Sequence, residues 1–431
     1  MSERPAPVVL DDLASPRFSP EIDQLRASLV DMAAACPLEL GALMATASRE
    51  TGLSDFGGSA FRHRIEVLCQ ALGEEAGLSP SGVVAWYSQL VQFLKNRLLI
   101  EDLLSRHPEI RDVEIERPII ICGLPRTGTT HLHNLIGADP ALRSLPYWES
   151  LEPVLADHEH PSPGTTDPRI GRAAFGLEML GATLPYFNRM HEMTVEHVHE
   201  EIQLLAIDFS TMLFETQGLV PTWREYYKAE DQTPSYQYLR TILQVMQWLR
   251  GGRRWVLKSP QHLEQFGPLL STFPDATFVV PHRDPVAVTV SMTTMVTYTA
   301  RMVTEQVDPL AMGRYWSARC EDLFRACADD RDLLPADQSI DVQFNEFMAH
   351  DLETVESIYA LAEQPFTSQS RRAMDAFVAD HPRGRNGTIT YQPEVLGIDR
   401  AERAEALAFY YERFGVEKET PTDTAQRDPG R

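Results

Sequence analysis

The sequence predicts an α/β fold with three layers, in which a central parallel sheet lies between helices, preceded by an N-terminal helical region. From residue 117 onward, short unbroken apolar runs alternate with stretches of helical periodicity. One strand–helix–strand unit falls between residues 255 and 280, and a crossover helix between two such strands implies parallel pairing. At 431 residues the chain is long enough to bury a large core.

Residues 1–115 are predicted to form the N-terminal helical region. Its clearest stretch places apolar side chains three or four residues apart, on one helix face: Val83, Trp86, Tyr87, Leu90, Leu94 and Leu98. No catalytic group stands out here, and an amphipathic stripe usually packs against a core. We therefore interpret the region as a helical cap or an oligomer contact.

Four segments are predicted to be the strands of the sheet: residues 118–122, 255–257, 277–280 and 340–344. The first of them is a short unbroken apolar run, as expected for a strand buried on both faces of a parallel sheet. The predicted helices are residues 129–137, a helix through Ile202, Leu205, Phe209 and Leu213, residues 235–249, a helix through Leu263, Phe266, Leu270 and Phe273, one that starts at Asp284, and others up to about residue 379. Ser259 and Asp284 each precede a proline, so we expect both to cap the helices that follow them.

These elements define a domain of residues 116–400. Within it, residues 150–250 are predicted to be an insertion, whose first part is rich in Pro, Gly and His and is expected to be loop-rich. A basic loop with Gly and Pro follows at residues 381–397. Residues 401–431 are predicted to form a C-terminal helix and a frayed tail.

The net charge of the chain is −23, from 39 basic and 62 acidic residues. Such a field repels nucleic acid and anionic membranes, so neither is expected as a partner. It would also repel an anionic small molecule. An anionic ligand would therefore need a local cluster of Arg and Lys, which makes basic residues in loops the candidates for binding.

Cysteine usage and the N-terminus predict a cytoplasmic protein. The five cysteines are an odd number without a C-x-x-C pair, so neither a disulfide framework nor a zinc site is expected. Residues 1–20 contain acids and prolines but no apolar signal segment. No apolar run approaches the ~18 residues that a membrane-spanning helix needs.

A glycine-bearing loop at residues 123–130 (GLPRTGTT) follows the first predicted strand of the sheet and opens a helix. Gly123 and Gly128 let the backbone curl around an anion, and the helix N-terminus offers free N–H groups. The loop is similar to the phosphate loop G-x-x-x-x-G-K-[ST], except that Thr129 replaces the lysine. Since that lysine reaches the β- and γ-phosphates in nucleotide triphosphatases, triphosphate chemistry is disfavoured. The basic residue lies inside the loop, as Arg126.

A second candidate anion site follows the strand at 277–280. Arg283 comes at the carboxyl end of that strand, where ligands bind in open α/β sheets. Ser291 lies in the second turn of the next helix. Together these side chains can hold one phosphate through charge and a hydroxyl. We therefore expect two separated anion pockets.

Three segments, in this order, carry a resemblance to a known family: residues 123–130 (GLPRTGTT), 255–263 (WVLKSPQHL) and 282–285 (HRDP) with Ser291. They resemble the sulfotransferases that use PAPS (3′-phosphoadenosine-5′-phosphosulfate), in particular a bacterial branch. The resemblance runs from about residue 118 to residue 400 and implies a P-loop-like α/β fold.

The same resemblance implies how the donor is held. It assigns the 5′-phosphosulfate to Arg126, Thr127, Gly128, Thr129 and Thr130, and the 3′-phosphate to Arg283 and Ser291. The family's late Arg/Lys-Gly motif, which closes over the 3′-phosphate, is matched loosely by Arg383, Gly384 and Arg385. PAPS would be the donor and PAP the product, without a metal.

Sulfuryl transfer needs positioned cations and a proton acceptor. We expect Arg126 and Lys258 to be the cations, because Lys258 ends a parallel strand at the same edge as the loop; in the family, a lysine at the comparable place neutralises the leaving group. Glu149 is the candidate base, since related sulfotransferases place a catalytic glutamate in a similar spot, although the spacing here is longer by two residues. The competing candidates for the base are Glu200, Glu201, His131, His197 and His199.

Two His-x-His pairs, His158 with His160 and His197 with His199, have the residue type of metal ligands. No third ligand stands at a suitable spacing in the sequence, so we expect no metal site.

Other functions predict different features. A kinase or nucleotide triphosphatase would need the loop lysine and magnesium, a silent binding protein would have lost the cations, and a dehydrogenase would carry G-x-G-x-x-G in the first βα turn. The insertion at 150–250 is rich in Tyr, Phe, Met, Leu and Trp, which favours a fairly apolar hydroxyl acceptor such as an alcohol, a lipid-like molecule or a phenol. A carbohydrate or peptide hydroxyl stays open as the alternative, and so does a homo-oligomer.

Overall fold

The computed structural model describes residues 5–162, 164–382 and 384–419. Within these ranges the strands are β1 (Val8–Val9), β2 (Ile119–Cys122), β3 (Val256–Ser259), β4 (Thr277–His282), β5 (Ser339–Gln343) and β6 (Ile389–Thr390). Strands β3, β2, β4 and β5 form one sheet in that spatial order, and all its pairs are parallel. The short strands β1 and β6 pair separately, also in parallel.

Helices make up most of the remaining described chain. The α-helices are α1 (Pro20–Ser28), α2 (Val30–Ala33), α3 (Leu40–Thr51), α4 (Ala60–Glu74), α5 (Pro80–Arg106), α6 (Thr129–Gly137), α7 (Tyr147–Leu151), α8 (Pro168–Thr183), α9 (Ile202–Leu205), α10 (Leu213–Gln217), α11 (Pro221–Ala229), α12 (Thr233–Arg250), α13 (Phe266–Thr272), α14 (Pro285–Thr299), α15 (Pro309–Asp330), α16 (Phe344–Ala349), α17 (Asp351–Ala362), α18 (Ser368–Asp380), α19 (Arg400–Ala406) and α20 (Ala408–Phe414). Short 3₁₀ turns lie at Pro108–Asp112, Asp157–Glu159, Phe187–Arg189, Ala206–Asp208, Pro260–Glu264, Ala300–Met302, Arg331–Leu333 and Pro393–Leu396. None of the described helices is long and apolar enough to pass through a lipid bilayer.

The sheet separates two apolar layers, as the predicted three-layer α/β fold requires. Ile119 and Ile121 of β2 belong to a cluster that also contains Leu132 and Leu135 of α6. Ile120 points the other way, into a larger cluster. Because successive side chains of a strand alternate between faces, an unbroken apolar strand supplies both layers. The larger cluster includes side chains of α3, α4 and α5, so the N-terminal helical region is part of the same core.

The carboxyl ends of the parallel strands bring the predicted anion sites to one edge of the sheet. β2 and β4 are neighbours, with Ile121 opposite Val279, so the loop at 123–128 and Arg283 start side by side. Asp284 caps α14, since its side chain accepts hydrogen bonds from the backbone N–H groups of Val286 and Ala287. This agrees with the prediction made from the Asp-Pro pair.

Two local predictions are wrong. Ser259 makes no capping hydrogen bond, because its residue belongs to β3 and the chain continues into a 3₁₀ turn before α13 begins at Phe266. The helix expected through residues 202–213 is interrupted, since α9 ends at Leu205. Phe209 has a left-handed backbone with φ of 54° and is fully buried, so packing of its ring overrides the helical periodicity.

Candidate active site

The loop between β2 and α6 has the backbone geometry of an anion-binding loop. Gly128 has φ of 83°, and a Cβ there would lie 3.2 Å from the Phe344 ring, so glycine suits both the torsion and the space. Arg126 also has a positive φ, 75°. The hydroxyls of Thr127 and Thr129 donate to the carbonyl oxygen of Leu124, at 2.7 and 3.4 Å. These two side chains therefore hold the loop together, and the first N–H groups of α6 lie beside it.

A cavity of about 600 Å³ opens in front of this loop, and we call it the basic cavity. Gly128 and Thr130 line it, whereas Thr127 and Thr129 do not. Its charged lining residues are Arg126, Arg189, Arg283, Arg385, Glu192 and Glu196. Four guanidinium groups against two carboxylates give this cavity a positive excess, although the chain as a whole carries −23. It is therefore a place where an anion can bind despite the repulsive field of the protein.

Arg126 and Arg283, one from each of the two predicted anion sites, line the same basic cavity. Arg283 Nη1 donates to the carbonyl oxygen of Arg126 at 2.6 Å, and Arg126 Nε donates to Ser291 Oγ at 3.0 Å. Ser291 in turn donates to the hydroxyl of Tyr391 at 2.8 Å. Ser291 is buried and does not line the basic cavity, so its hydroxyl supports the guanidinium of Arg126.

Arg283 is neutralised by the end of the described chain. Its guanidinium donates to both carboxylate oxygens of Glu419, at 2.6 and 2.8 Å. The backbone N–H of Glu419 donates to Asp284, which fixes the carboxylate in place. A planar guanidinium that binds a carboxylate through two hydrogen bonds can bind a phosphate with the same geometry. Glu419 therefore occupies the position that an anionic ligand of Arg283 would take.

The late basic loop reaches the cavity from the opposite side. Gly384 and Arg385 line the basic cavity, and Arg385 contacts the carboxylate of Glu192 and the carbonyl oxygen of Asp380. Arg383 lies outside the described residues. Two of the three residues predicted to close over the 3′-phosphate therefore lie at the basic cavity.

Lys258 lies on β3, opposite Ile121 of β2, and is buried behind the basic cavity. Its ammonium group contacts the carboxylate of Glu200. Its backbone N–H donates to Glu201 at 2.8 Å, and the other oxygen of Glu201 lies 2.5 Å from His262 Nε2. Glu201 is therefore a structural anchor for β3 and the following turn, whereas Glu200 is the partner of the ammonium.

The structure does not bring Glu149 to this site. Glu149 is only 1% exposed, and its carboxylate accepts hydrogen bonds from Arg143 at 2.7 Å. The guanidinium of Arg250 forms an ion pair with the same carboxylate at 2.9 Å. It lines neither of the two cavities described here. Because Arg143 and Arg250 hold this carboxylate away from both cavities, its geometry argues against the role of base.

A second cavity of about 360 Å³, which we call the apolar cavity, meets the basic cavity at His191. Its apolar lining residues include Trp86, Tyr147, Leu180, Leu184, Phe187, Met193, Ile202, Leu213, Met292, Met295, Val296, Met302 and Val303. Glu200 and His199 line it at the same end as His191. Helix α5 supplies Trp86 and Gln89, so part of the helical region interpreted as a cap forms this cavity.

Three histidines surround the junction of the two cavities. His197 lines the basic cavity, His199 lines the apolar one, and His191 lines both. Burial lowers the imidazole pKa of His191 to about 3 and that of His197 to about 2. The positive charge of Lys258 also contributes to lowering both pKa values. Burial likewise lowers the pKa of His199 well below its usual range. All three rings are therefore neutral at physiological pH.

The sequence interpretation missed His191. It treated His197 and His199 as a pair without a third partner, but the chain turn between Asn188 and His197 brings His191 next to them. Among the remaining candidates for the base, His131 lines the basic cavity, where its Nε2 lies 3.0 Å from Asp351.

Comparison with known proteins identifies the chain. The model of the sulfotransferase family matches residues 118–368, which is more than half of the sequence. The chain belongs to the sulfotransferase family.

Two solved mycobacterial sulfotransferases have a similar structure. Sulfotransferase STF1 from Mycobacterium tuberculosis H37Rv is 29% identical over 85% of this chain and 97% of its own, with a TM-score of 0.74. Sulfotransferase STF9 from Mycobacterium avium is 25% identical over 87% of this chain and 96% of its own, with a TM-score of 0.77. No curated protein sequence matches the chain. The predicted family and P-loop-like α/β fold are thus confirmed, and this sulfotransferase has its two cavities at the edge of the sheet where the family motifs lie.

Proposed function

We propose that the protein transfers the sulfuryl group of PAPS to the hydroxyl of a fairly apolar small molecule. The observation that carries this proposal is the junction at His191, where a cavity with four guanidinium groups meets a cavity lined mainly by apolar side chains. An anionic donor and an apolar acceptor would each find a matching environment and would meet at one point. Glu200 lines the apolar cavity, and its carboxylate contacts the buried ammonium of Lys258.

The basic cavity has the groups that PAPS requires. The N–H groups that open α6 and the Arg126 guanidinium can hold the 5′-phosphosulfate, since a helix N-terminus favours an anion. Arg283 can take the 3′-phosphate in place of Glu419. The rings of Phe344 and Phe377 line the same cavity and offer an apolar wall for a purine. With Thr129 in place of the loop lysine, the loop lacks the group that a triphosphate needs.

The chemistry would be an in-line displacement at sulfur. The acceptor oxygen forms a bond to the sulfur while the bond from sulfur to the bridging phosphate oxygen breaks, and the negative charge moves to that oxygen. Lys258 can stabilise this charge when its ammonium exchanges Glu200 for the leaving oxygen. Glu200, once released, can accept the proton of the acceptor hydroxyl. We assign the base to Glu200 rather than Glu149, because Glu200 lines the apolar cavity.

The apolar cavity favours an alcohol, a phenol or a lipid-like acceptor over a carbohydrate or a peptide hydroxyl. Four methionines contribute to its wall: Met193, Met292, Met295 and Met302. Thioether side chains adapt their shape to apolar ligands of different outline. A sugar would need polar partners on most of its surface, whereas most of the side chains in this wall are apolar. We also propose that the enzyme acts in the cytoplasm, which its five unpaired and buried cysteines support. We further propose that residues 116–400 form the catalytic domain.

A thermal-shift titration without magnesium tests the donor. We expect PAP to raise the melting temperature of the full chain, and ADP with magnesium or NAD to have little effect. Radiolabelled PAPS incubated with pools of alcohols, phenols, lipids and sugars then tests the acceptor, with label expected in an apolar product. Stabilisation by ADP with magnesium but not by PAP would refute the proposal and favour a phosphotransferase.

A further inference from the structure

The three histidines at the cavity junction have an arrangement that the proposed transfer does not explain. One ring nitrogen from each of His191, His197 and His199 lies within 4.8 Å of the other two. The ring centroids are 5.6 Å apart for His191 and His197, and 6.0 Å apart for His197 and His199. The three imidazoles therefore converge on one point.

His199 is the member that most needs a ligand. His199 is only 7% exposed, and neither of its ring nitrogens has a hydrogen-bond partner among the described residues. A buried imidazole nitrogen without a hydrogen-bond partner destabilises the folded protein, because it has lost its hydrogen bonds to water. Buried polar groups in native proteins are nearly always satisfied by protein, water or a bound ion. The unpartnered ring thus points to a ligand at the convergence point.

We propose that His191, His197 and His199 form a binding site for a divalent transition-metal ion of the zinc type. Histidine is the commonest protein ligand of such ions, and one ring nitrogen of each of the three side chains lies within reach of a shared point. Three protein ligands with an open fourth position are typical of catalytic zinc sites. Because tetrahedral Zn–N bonds of about 2.0–2.1 Å place the nitrogens about 3.3 Å apart, binding an ion would draw the three rings together by at most about 1.5 Å.

Because the three histidines lie at the junction of the two cavities, the open fourth coordination position of the ion would face the acceptor hydroxyl. His191 lines both cavities, so an open coordination position there faces the place where donor and acceptor meet. An acceptor hydroxyl bound to the ion would lose its proton more easily. The ammonium of Lys258 is a nearby positive charge, but the carboxylate of Glu200 already offsets it. This role of the ion rests on the proposed function, whereas its binding does not.

Cobalt titration of the full chain tests the binding. We expect one Co²⁺ per chain with the visible absorption of a tetrahedral site, and displacement of that signal by Zn²⁺. His199→Ala should weaken binding at least ~10-fold, because even the loss of an outer partner costs a metal site ~10–100-fold. His191→Gln provides a second test at a less buried position, in case His199→Ala fails to fold.

The chain contains a matched control. His158 and His160 form the same His-x-His spacing on an exposed turn, outside both cavities. The double variant His158→Ala/His160→Ala should retain the cobalt signal. The inference is overturned if the wild type gives no tetrahedral cobalt spectrum, or if the control abolishes the spectrum and His191→Gln does not. PAP thermal shifts on the same samples report donor binding separately, so failure of the metal site and failure of the proposed donor can be told apart.

Discussion

The basic cavity and the apolar cavity meet at one histidine but are built in different ways. Two of the four guanidinium groups of the basic cavity, those of Arg126 and Arg283, follow directly after the neighbouring strands β2 and β4. Most of the wall of the apolar cavity comes from α5, from residues 180–217 and from α14, which are far apart along the chain. The contrast shows that an anion site requires a few charged groups in fixed positions. A cavity for an apolar molecule requires only enough apolar surface to enclose it.

Helix α14 lies at the boundary and carries residues of both kinds. Ser291 supports the guanidinium of Arg126, and the next residue, Met292, lines the apolar cavity. Helix α14 is buried along nearly its whole length, so neighbouring positions on different faces can supply different sites. Substitutions on either side of this boundary should therefore separate donor binding from acceptor binding.

The largest effect is expected from Lys258→Met, whose ammonium contacts the carboxylate of Glu200 in the wall of the apolar cavity. Loss of the ammonium removes the group that would stabilise the leaving oxygen, and we expect kcat to fall by about 10²–10³-fold, as for other single transition-state donors. Initial rates of label transfer from PAPS measure this. PAP binding should change far less, since Lys258 does not line the basic cavity.

A double variant separates this chemical loss from a loss of stability. Lys258→Met alone leaves the buried carboxylate of Glu200 unpaired, which costs about 3–5 kcal/mol of unfolding free energy. Lys258→Met/Glu200→Gln removes that charge and should recover stability in thermal unfolding without recovering activity. Recovery of both would contradict the catalytic role of Lys258.

The next effect belongs to the basic cavity alone. Arg283→Ala should weaken PAP binding by roughly 10–100-fold, because a hydrogen bond to a charged group contributes ~1.5–3 kcal/mol. The affinity for AMP, which lacks the 3′-phosphate, should change little. Calorimetric titration with both nucleotides checks this, and equal losses would refute the assignment of the 3′-phosphate to Arg283.

Glu419→Gln is the control for Arg283. It removes the anion that competes for the guanidinium but keeps the guanidinium itself. We expect PAP to bind several-fold more tightly to this variant, while AMP binding stays the same. Weaker PAP binding would mean that Glu419 positions Arg283 for the ligand instead of competing with it.

The same contrast explains what the sequence could predict. The loop at 123–130 and Arg283 were predictable because parallel strand ends converge, so residues next to each strand share an edge. The detail of their contacts was not: Ser291 faces Arg126, and Thr127 and Thr129 bond to Leu124. These contacts depend on side-chain rotamers that no local pattern records.

The junction and the apolar cavity were less predictable. The role of Trp86 in the cavity wall was hidden in an amphipathic stripe that any core helix would show. His191 had no signal of its own, since it stands six residues before His197 and only the loop path brings them together. Glu149 lay at a plausible spacing, but Arg143 and Arg250 bind its carboxylate away from the cavities. Tertiary packing decided each of these cases.

The smallest effect is expected from the apolar cavity, because many side chains share the work of enclosing the acceptor. Met295→Gln places an amide in the wall at nearly unchanged length, and Met295 is only partly buried, so the fold should tolerate it. Desolvating that amide against an apolar acceptor costs at least ~1 kcal/mol, which corresponds to about a 5–10-fold rise in acceptor KM. Met295→Leu keeps the apolar surface and should leave KM within about twofold. PAP affinity should stay constant in both variants. A rise in KM with Met295→Leu as large as with Met295→Gln would mean that shape, and not polarity, selects the acceptor, so that a single apolar side chain in the wall would be as specific as a guanidinium in the basic cavity.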